Sequence, residues 1–237
     1  MDEPAAPSAL YGNYQLQFGQ SNTCSPEEYR RYAAGYEPLY GPHLPADRGA
    51  AIADVGAGAG HFLYFLKERG YTQYEGVDLS PSQVEACRRL VTDQIQQGDA
   101  FAWLEERPGR FDAVVMNDLV EHIPHARVLH LLGLARTALR EGGRLIVRTP
   151  NMASLLAGYS RHMDFTHVTG FTAESLRAAL LAAGFATASV LPMPRHPTWK
   201  GRMRYRVHGC LVRLLYRLED QRLSACIGHN LHMAADR

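Results

Sequence analysis

The chain alternates between two hydrophobic periods. Short, nearly continuous apolar runs end at Val55, Asp78, Gln97 and Asn117, and between them apolar residues recur at the three-to-four spacing of amphipathic helices. Continuous runs suit strands covered by helices on both faces. The pattern predicts helices over about 60–70, 81–93, 100–106, 125–140 and 173–183, with a sixth strand near 185–191. Strand and helix alternate through short connections, which predicts right-handed crossovers and an α/β fold: a doubly wound, mostly parallel sheet with helices on both faces. Upstream, Ser25-Pro26-Glu27-Glu28 supplies an N-cap, a first-turn proline and first-turn acids for a helix reaching about Tyr40. Tyr29, Tyr32, Tyr36 and Tyr40 share its helical spacing. They either pack that helix onto the sheet or turn phenol ends toward the crevice. Residues 1–10, rich in Pro and Ala, are expected to be disordered, and Tyr11 to Gln20 form an aromatic, amide-rich segment.

The first strand, Ala51-Ile52-Ala53-Asp54-Val55, runs directly into Gly56-Ala57-Gly58-Ala59-Gly60-His61 and then into a helical pattern. Glycine permits positive φ and close approach, so this turn can present amide N–H groups at a helix N-terminus to a ligand. A phosphate-cradling loop needs Gly-Lys-Ser/Thr after its last glycine, and His61-Phe62 follows instead. A dinucleotide fingerprint would place its third small residue at His61, too large for close helix packing.

Further strand ends supply polar groups to the same edge. Asp78 closes the second strand before Ser80-Pro81 and can take both hydroxyls of a ribose. Asp99 follows the third, placed to accept from an adenine amino group, and Asn117-Asp118 end the fourth. In an open sheet of this kind the ligand lies outside the carboxyl ends of the strands, where strand order reverses.

The ordered set Asp54-Val55-Gly56-Ala57-Gly58-Ala59-Gly60, Asp78, Gly98-Asp99, Asn117-Asp118-Leu119-Val120-Glu121-His122-Ile123-Pro124 and Leu139 to Val147 resembles the class I S-adenosylmethionine-dependent methyltransferases. The resemblance covers about residues 50–192. It implies a seven-stranded Rossmann-like sheet with an antiparallel last strand, here near 224–234, and S-adenosylmethionine as cofactor. It places Asp54 with Gly56, Gly58 and Gly60 at the methionine part, Asp78 and Leu79 at the ribose, Asp99 and Ala100 at the adenine, and Asn117 at the same edge. Glu121-His122 and Asp164-Phe165-Thr166-His167-Val168-Thr169-Gly170-Phe171-Thr172 look like the bacterial branch that modifies sugars, polysaccharide ends and related small metabolites. The implied organisation is an N-terminal cap over 1–48, a cofactor-binding core over 49–192 and a completing segment over 193–237.

Composition narrows the picture. Of 237 residues, 46% are hydrophobic and 21% charged, enough for one substantial core, and the formal net charge of +1 gives no global argument for nucleic acid. No apolar stretch is long enough to span a bilayer and no secretory pattern opens the chain, so a cytoplasmic location is expected. Cys24, Cys87, Cys210 and Cys226 are scattered, and all four are expected to be reduced and structural.

Beyond the fifth strand, Thr149-Pro150-Asn151 breaks the pattern and opens an insertion over 150–171, rich in polar and aromatic groups, that is expected to wall the acceptor pocket. An alcohol acceptor needs a base near the transferred methyl, and histidine suits neutral pH. His167 is the first candidate and His122 the second, with His162 and Asp164 also within the insertion. The alternative for His122 is a residue that fixes its loop by hydrogen bonds. Asp118, Glu121 and His122 offer three donors within five residues, a spacing that can hold a divalent cation but is more often hydrogen-bonded; no metal is assigned.

From Arg195 to Arg217 seven basic residues stand without one acid, interleaved with apolar ones. Either a helix packs its apolar side on the sheet with a solvated basic face, or that face meets an anionic partner: a sugar nucleotide, a phosphorylated glycan end, or a lipid-linked acceptor at a membrane. The reading favoured by the sequence is O-methylation of a sugar or related small metabolite. N-methylation of an amino sugar or amino metabolite is the enzymatic rival. A non-catalytic methyltransferase-like binding protein would show a degraded glycine turn or missing acids, and neither is seen. Asn117-Asp118-Leu119-Val120 stands where methyltransferases of base amines carry Asn/Asp-Pro-Pro-Tyr/Phe.

Overall fold

The computed structural model describes residues 24–194 and 198–237; the expectations for residues 1–20 and for Arg195 lie outside them. Helix α1 (Pro26–Tyr40) begins as its sequence demands, with Ser25 Oγ accepting from the Glu28 N–H and Pro26 in the first turn. Strand β1 (Ala51–Val55), helix α2 (His61–Glu68), β2 (Gln73–Asp78), α3 (Pro81–Leu90), β3 (Ile95–Gln97), α4 (Ala100–Glu105), β4 (Phe111–Asn117), α5 (His125–Ala138) and β5 (Leu139–Pro150) follow in strict alternation. Then come α6 (Ala157–His162), α7 (Ala173–Ala182), β6 (Thr187–Val190), α8 (Trp199–Leu218) and β7 (Asn230–Asp236).

The seven strands form one sheet in the order β3-β2-β1-β4-β5-β7-β6, with β7 antiparallel to both neighbours and the β1 to β5 pairings parallel. Strand order reverses between β1 and β4, so the crevice opens above their carboxyl ends. Alternation along each strand divides the interior into two layers. Ala53, Val55, Val114, Met116, Leu145 and Val147 pack against α4, α5 and α7, while Ile52, Ala113, Val115 and Ile146 pack against α1, α2 and α3. The doubly wound expectation therefore holds down to individual side chains. Tyr36 and Tyr40 meet Phe62 edge-on at 5.4 and 5.2 Å between ring centroids, which fixes α1 on α2.

Three regions depart from the expected pattern. The insertion between β5 and α7 contains a short helix, α6, and is tied down by main chain: the Val168 and Thr169 N–H groups both donate to the Glu121 carbonyl at 2.9 and 3.0 Å. Asn151 adds side-chain bonds to the Cys226 and Gly228 carbonyls. The last strand lies at 230–236 rather than 224–234, because the buried run Leu231 to Ala235 is what pairs with β5. Helix α8 forms, but it does not pack an apolar side onto the sheet: among its residues only Gly201, Gly209 and Val212 are buried. Among the described residues no helix is long and apolar enough to cross a membrane. The four cysteines are free, as expected; Cys87 and Cys226 are buried, Cys24 is partly buried and Cys210 is exposed on α8 rather than packed in the core.

Candidate active site

The turn after β1 holds Gly56, Gly58 and Gly60 at φ values of 79°, 53° and 82°. An L side chain is strained at each. Gly60 is also required by packing, since a Cβ there would collide with the Cys87 sulfur of α3. At Gly58 a Cβ would meet only Gln83 Oε1, at an ordinary 3.9 Å, and its N–H donates to Asp78 Oδ2 at 2.8 Å. The Ser80 N–H donates to the other oxygen, Oδ1, at 2.8 Å. These bonds aim the carboxylate across the crevice. Burial raises the Asp78 pKa, and the two N–H donors oppose that shift.

Asp54 is 1% exposed, and neither of its carboxylate oxygens has a hydrogen-bond partner. Desolvation, followed by the negative charge of Asp78, pushes its pKa up to about 8. A buried carboxyl without a partner beside an open cleft is poised for a cationic ligand group. Asp99 Oδ1 caps α4, accepting from the Phe101 and Ala102 N–H groups at 3.0 and 3.2 Å, which leaves Oδ2 for a ligand. Asn117 Oδ1 accepts from the Tyr40 hydroxyl, and its buried amide nitrogen is unpartnered. Leu79 and Ala100 add apolar wall. Eight of the nine expected cofactor positions line one cleft of about 510 Å³, within the usual range for small-molecule sites; the ninth, Gly60, is off its wall and shapes the turn from behind, against Cys87.

On the acceptor side the expected base residues fall in two ranks. His122 lines the cleft; His167 does not, and lies behind it with ring centroids 4.8 Å apart. Thr166 Oγ1 donates to Asp164 Oδ1 at 2.7 Å, and the same oxygen lies 2.8 Å from His122 Nδ1. With the hydroxyl proton directed at the carboxylate, the Thr166 oxygen can only accept from the ring. His122 then carries its proton on Nδ1 and its lone pair on Nε2. Burial, and then the His167 charge, lower the His122 pKa, which favours the neutral ring. His167 Nδ1 is bonded to the Ser160 carbonyl at 2.8 Å, which fixes the same tautomer.

Asp118 does not join Glu121 and His122. It adopts a φ of 50° and makes a two-point ion pair with Arg148 at the end of β5. Glu121 instead turns inward, 2% exposed and without a well-formed side-chain hydrogen bond, and burial with the nearby Asp118 charge raises its pKa well above the carboxylate range. One ligand atom from each of Glu121, His122 and His167 lies within 4.8 Å of the others. His162 is not on the cleft wall, whereas its neighbour Met163 is.

Sequence reasoning missed several lining residues. Tyr32 and Tyr36 reach the cleft from α1, so the tyrosine row serves both packing and wall; His61, Gln83 and Arg148 also line it. Arg148 had a signal, a cation ending the otherwise apolar Leu145-Ile146-Val147 run. His61 had none beyond its place after the glycines. It lies against Tyr29 and Tyr32, at 4.7 and 4.4 Å between centroids, and burial, followed by the Arg31 charge, lowers its pKa to about 4.

Fold and site together define a doubly wound α/β domain with a nucleoside-sized cleft at its switch point, built on a glycine turn and successive strand-end acids. The chain belongs to the methyltransferase-domain family, whose model matches residues 27–190. It is 31% identical over 110 residues to the ubiquinone biosynthesis O-methyltransferase of Xanthomonas campestris pv. campestris, covering 44% of each protein. Identity to the enzyme of the same name from Xylella fastidiosa is 25% over 236 residues, 83% of this chain and 90% of that one. The chain spans about half the length of the first curated relatives it matches. A methyltransferase structure from Archaeoglobus fulgidus superposes with a TM-score of 0.69 at 21% identity, over 95% of this chain and 100% of that one, a likeness of fold. The family's methyl donor, S-adenosylmethionine, is the cofactor these residues fit. The unpartnered Asp54 carboxyl suits its cationic methionine end, Asp78 its ribose, and the glycine turn its close approach.

Proposed function

We propose that the protein is an S-adenosylmethionine-dependent O-methyltransferase acting on a hydroxyl of a sugar or related small metabolite, with His122 as the base. The observation that carries the reading is the chain from Asp164 through Thr166 to His122 Nδ1, which reserves Nε2 as the lone-pair nitrogen of a ring lining the cleft. When bound, the cofactor supplies a sulfonium methyl open to in-line displacement. Asp54, Asp78 and the glycine turn hold it in place, and alignment of this kind contributes up to about 7–11 kcal/mol. His122 Nε2 would take up the proton that the acceptor hydroxyl gives up on methylation. Thr166 and Asp164 keep the ring oriented, and their negative end stabilises the imidazolium. The curated relatives named as O-methyltransferases support oxygen over nitrogen as the acceptor atom.

The direct test is methyl transfer from labelled cofactor to matched hydroxylated and amino-sugar nucleotides and to phenolic metabolites. Product on oxygen is expected. Transfer confined to amines, by protein shown to bind the cofactor, would overturn the O-methyl reading.

The same geometry supports a second reading. Glu121, His122 and His167 would be the residues to hold a divalent cation, with Nδ1 of both rings engaged elsewhere, and such an ion would supply Lewis acidity toward a hydroxyl. Activity lost to a chelator and restored by a divalent metal would select it; activity indifferent to chelation leaves His122 as the base.

A further inference from the structure

We infer that α8 is an interfacial helix that docks on the anionic surface of a phospholipid bilayer. The helix has two apolar stripes, and only one belongs to the fold. The inner stripe is narrow: Gly201, Gly209 and Val212 are buried, and the Tyr216 hydroxyl donates to the Ala153 carbonyl at 3.0 Å. The outer stripe is Met203, Val207, Leu211, Leu214 and Leu218, at successive spacings of four, four, three and four, which places all five on one face. These side chains are between 50% and 72% exposed. Such a continuous row of large apolar groups is not the scattered exposure usual for a soluble surface.

Charge decides what covers it. The helix contains no acid, and Arg206, Arg213 and Arg217 run along one border of the outer stripe. Neither these three nor Arg204 makes an ion pair among the described residues. Trp199, 64% exposed at the start of the helix beside this border, is of the type that settles at headgroup depth. An apolar stripe bordered by arginines and lacking acids complements anionic headgroups over acyl chains. A second copy of the helix would bring like-charged rows together. The helix would lie on the surface, since no described helix can cross it. At its inner side Tyr216 joins it to the insertion, where Leu155, Leu156 and Tyr159 are also exposed. This inference stands apart from the chemistry of the cleft, because its readout needs no methyl transfer.

The experiment is co-sedimentation of the full chain with phosphatidylcholine vesicles, with and without phosphatidylglycerol, at low and high salt. Binding to the anionic vesicles alone, weakened by salt, is expected. Removing three charges in Arg206→Gln/Arg213→Gln/Arg217→Gln should weaken it on the order of a hundredfold. Leu211→Gln/Leu214→Gln should abolish it at high salt, with thermal unfolding unchanged because both positions are exposed. Absence of binding to anionic vesicles at low salt overturns the proposal. So does an equal affinity for neutral vesicles, or a solution dimer that the leucine variant dissociates.

Discussion

At the donor end of the cleft, Asp78 is fixed by N–H groups 20 residues before it and 2 after it. At the acceptor end, His122 is fixed by a threonine 44 residues away, on a segment whose only regular element is a short helix. The first arrangement is made by backbone: a positive-φ turn, a strand end and a helix start. The second is made by side chains from separate segments, joined by hydrogen bonds from the insertion to the Glu121 carbonyl. A site built on backbone geometry constrains sequence closely, while one built on an inserted segment can be remodelled without disturbing the cofactor. This fits a common donor combined with differing acceptors.

The sharpest way to separate the two ends is His122→Ala. Removal of a general base should cost about 10²- to 10⁴-fold in kcat, with cofactor affinity measured calorimetrically unchanged. A matching loss of cofactor affinity would erase the distinction between the halves. Thr166→Val, which leaves the ring in place but frees its tautomer, should fall between that variant and the native protein. Equal activity in Thr166→Val and native protein would break the proposed chain.

At the donor end, Asp78→Ala removes a carboxylate that accepts charge-assisted bonds, worth about 1.5–3 kcal/mol, or roughly ten- to a hundredfold in cofactor Kd. The Gly58 N–H also loses its acceptor, so the turn should loosen. Unchanged affinity would remove Asp78 from the site.

Asp54 sharpens the comparison through pH. Its folded pKa is raised from an ordinary 3.8 to about 8, so the empty protein holds a proton that the unfolded chain releases near pH 4. A raised carboxyl stabilises the fold below its unfolded value, and that contribution is lost as pH rises through the window from about 4 to 8. A cationic cofactor favours the ionised form. Binding near pH 7 should therefore release close to one proton, visible as a dependence of the calorimetric heat on buffer ionisation, and affinity should rise by up to about tenfold per pH unit toward 8. Asp54→Asn should flatten both. A native protein showing neither would place the cofactor's positive charge elsewhere.

The same contrast explains what could be read in advance. The N-cap at Ser25, the glycine turn, the strand-end acids and the two-layer core all follow from neighbours a few residues apart or from hydrophobic period, and they are legible one element at a time. His122 and His167 were visible as histidines, but their ranking was not. Which ring lines the cleft depends on how the insertion folds back over the 3₁₀ turn at Val120–His122, a long-range outcome. Asp118 misled for a similar reason. Its spacing suits a shared donor set, yet Arg148, on the neighbouring strand, captures it. The row of tyrosines on α1 has one period, so it could not say which phenols pack and which face the cleft; Tyr29 and Tyr40 are hydrogen-bonded inside, while Tyr32 and Tyr36 reach the wall.

The smallest effect tests whether one residue belongs to both fold and ligand. Asp99 caps α4 through Oδ1 and has Oδ2 to spare. Asp99→Ala removes the cap and should cost about 1 kcal/mol of stability, with weaker cofactor binding as a further consequence. Asp99→Asn keeps an oxygen for the two N–H groups but places an amide nitrogen where Oδ2 stood. That nitrogen donates and cannot accept from an adenine amino group. The asparagine variant should therefore unfold at the native temperature while binding cofactor less tightly, by tenfold or somewhat less, as one hydrogen bond to a charged acceptor is lost. If both properties stay native, Asp99 is a cap alone, and adenine is held by the apolar wall of Leu79, Phe101 and Ile123 together with backbone groups.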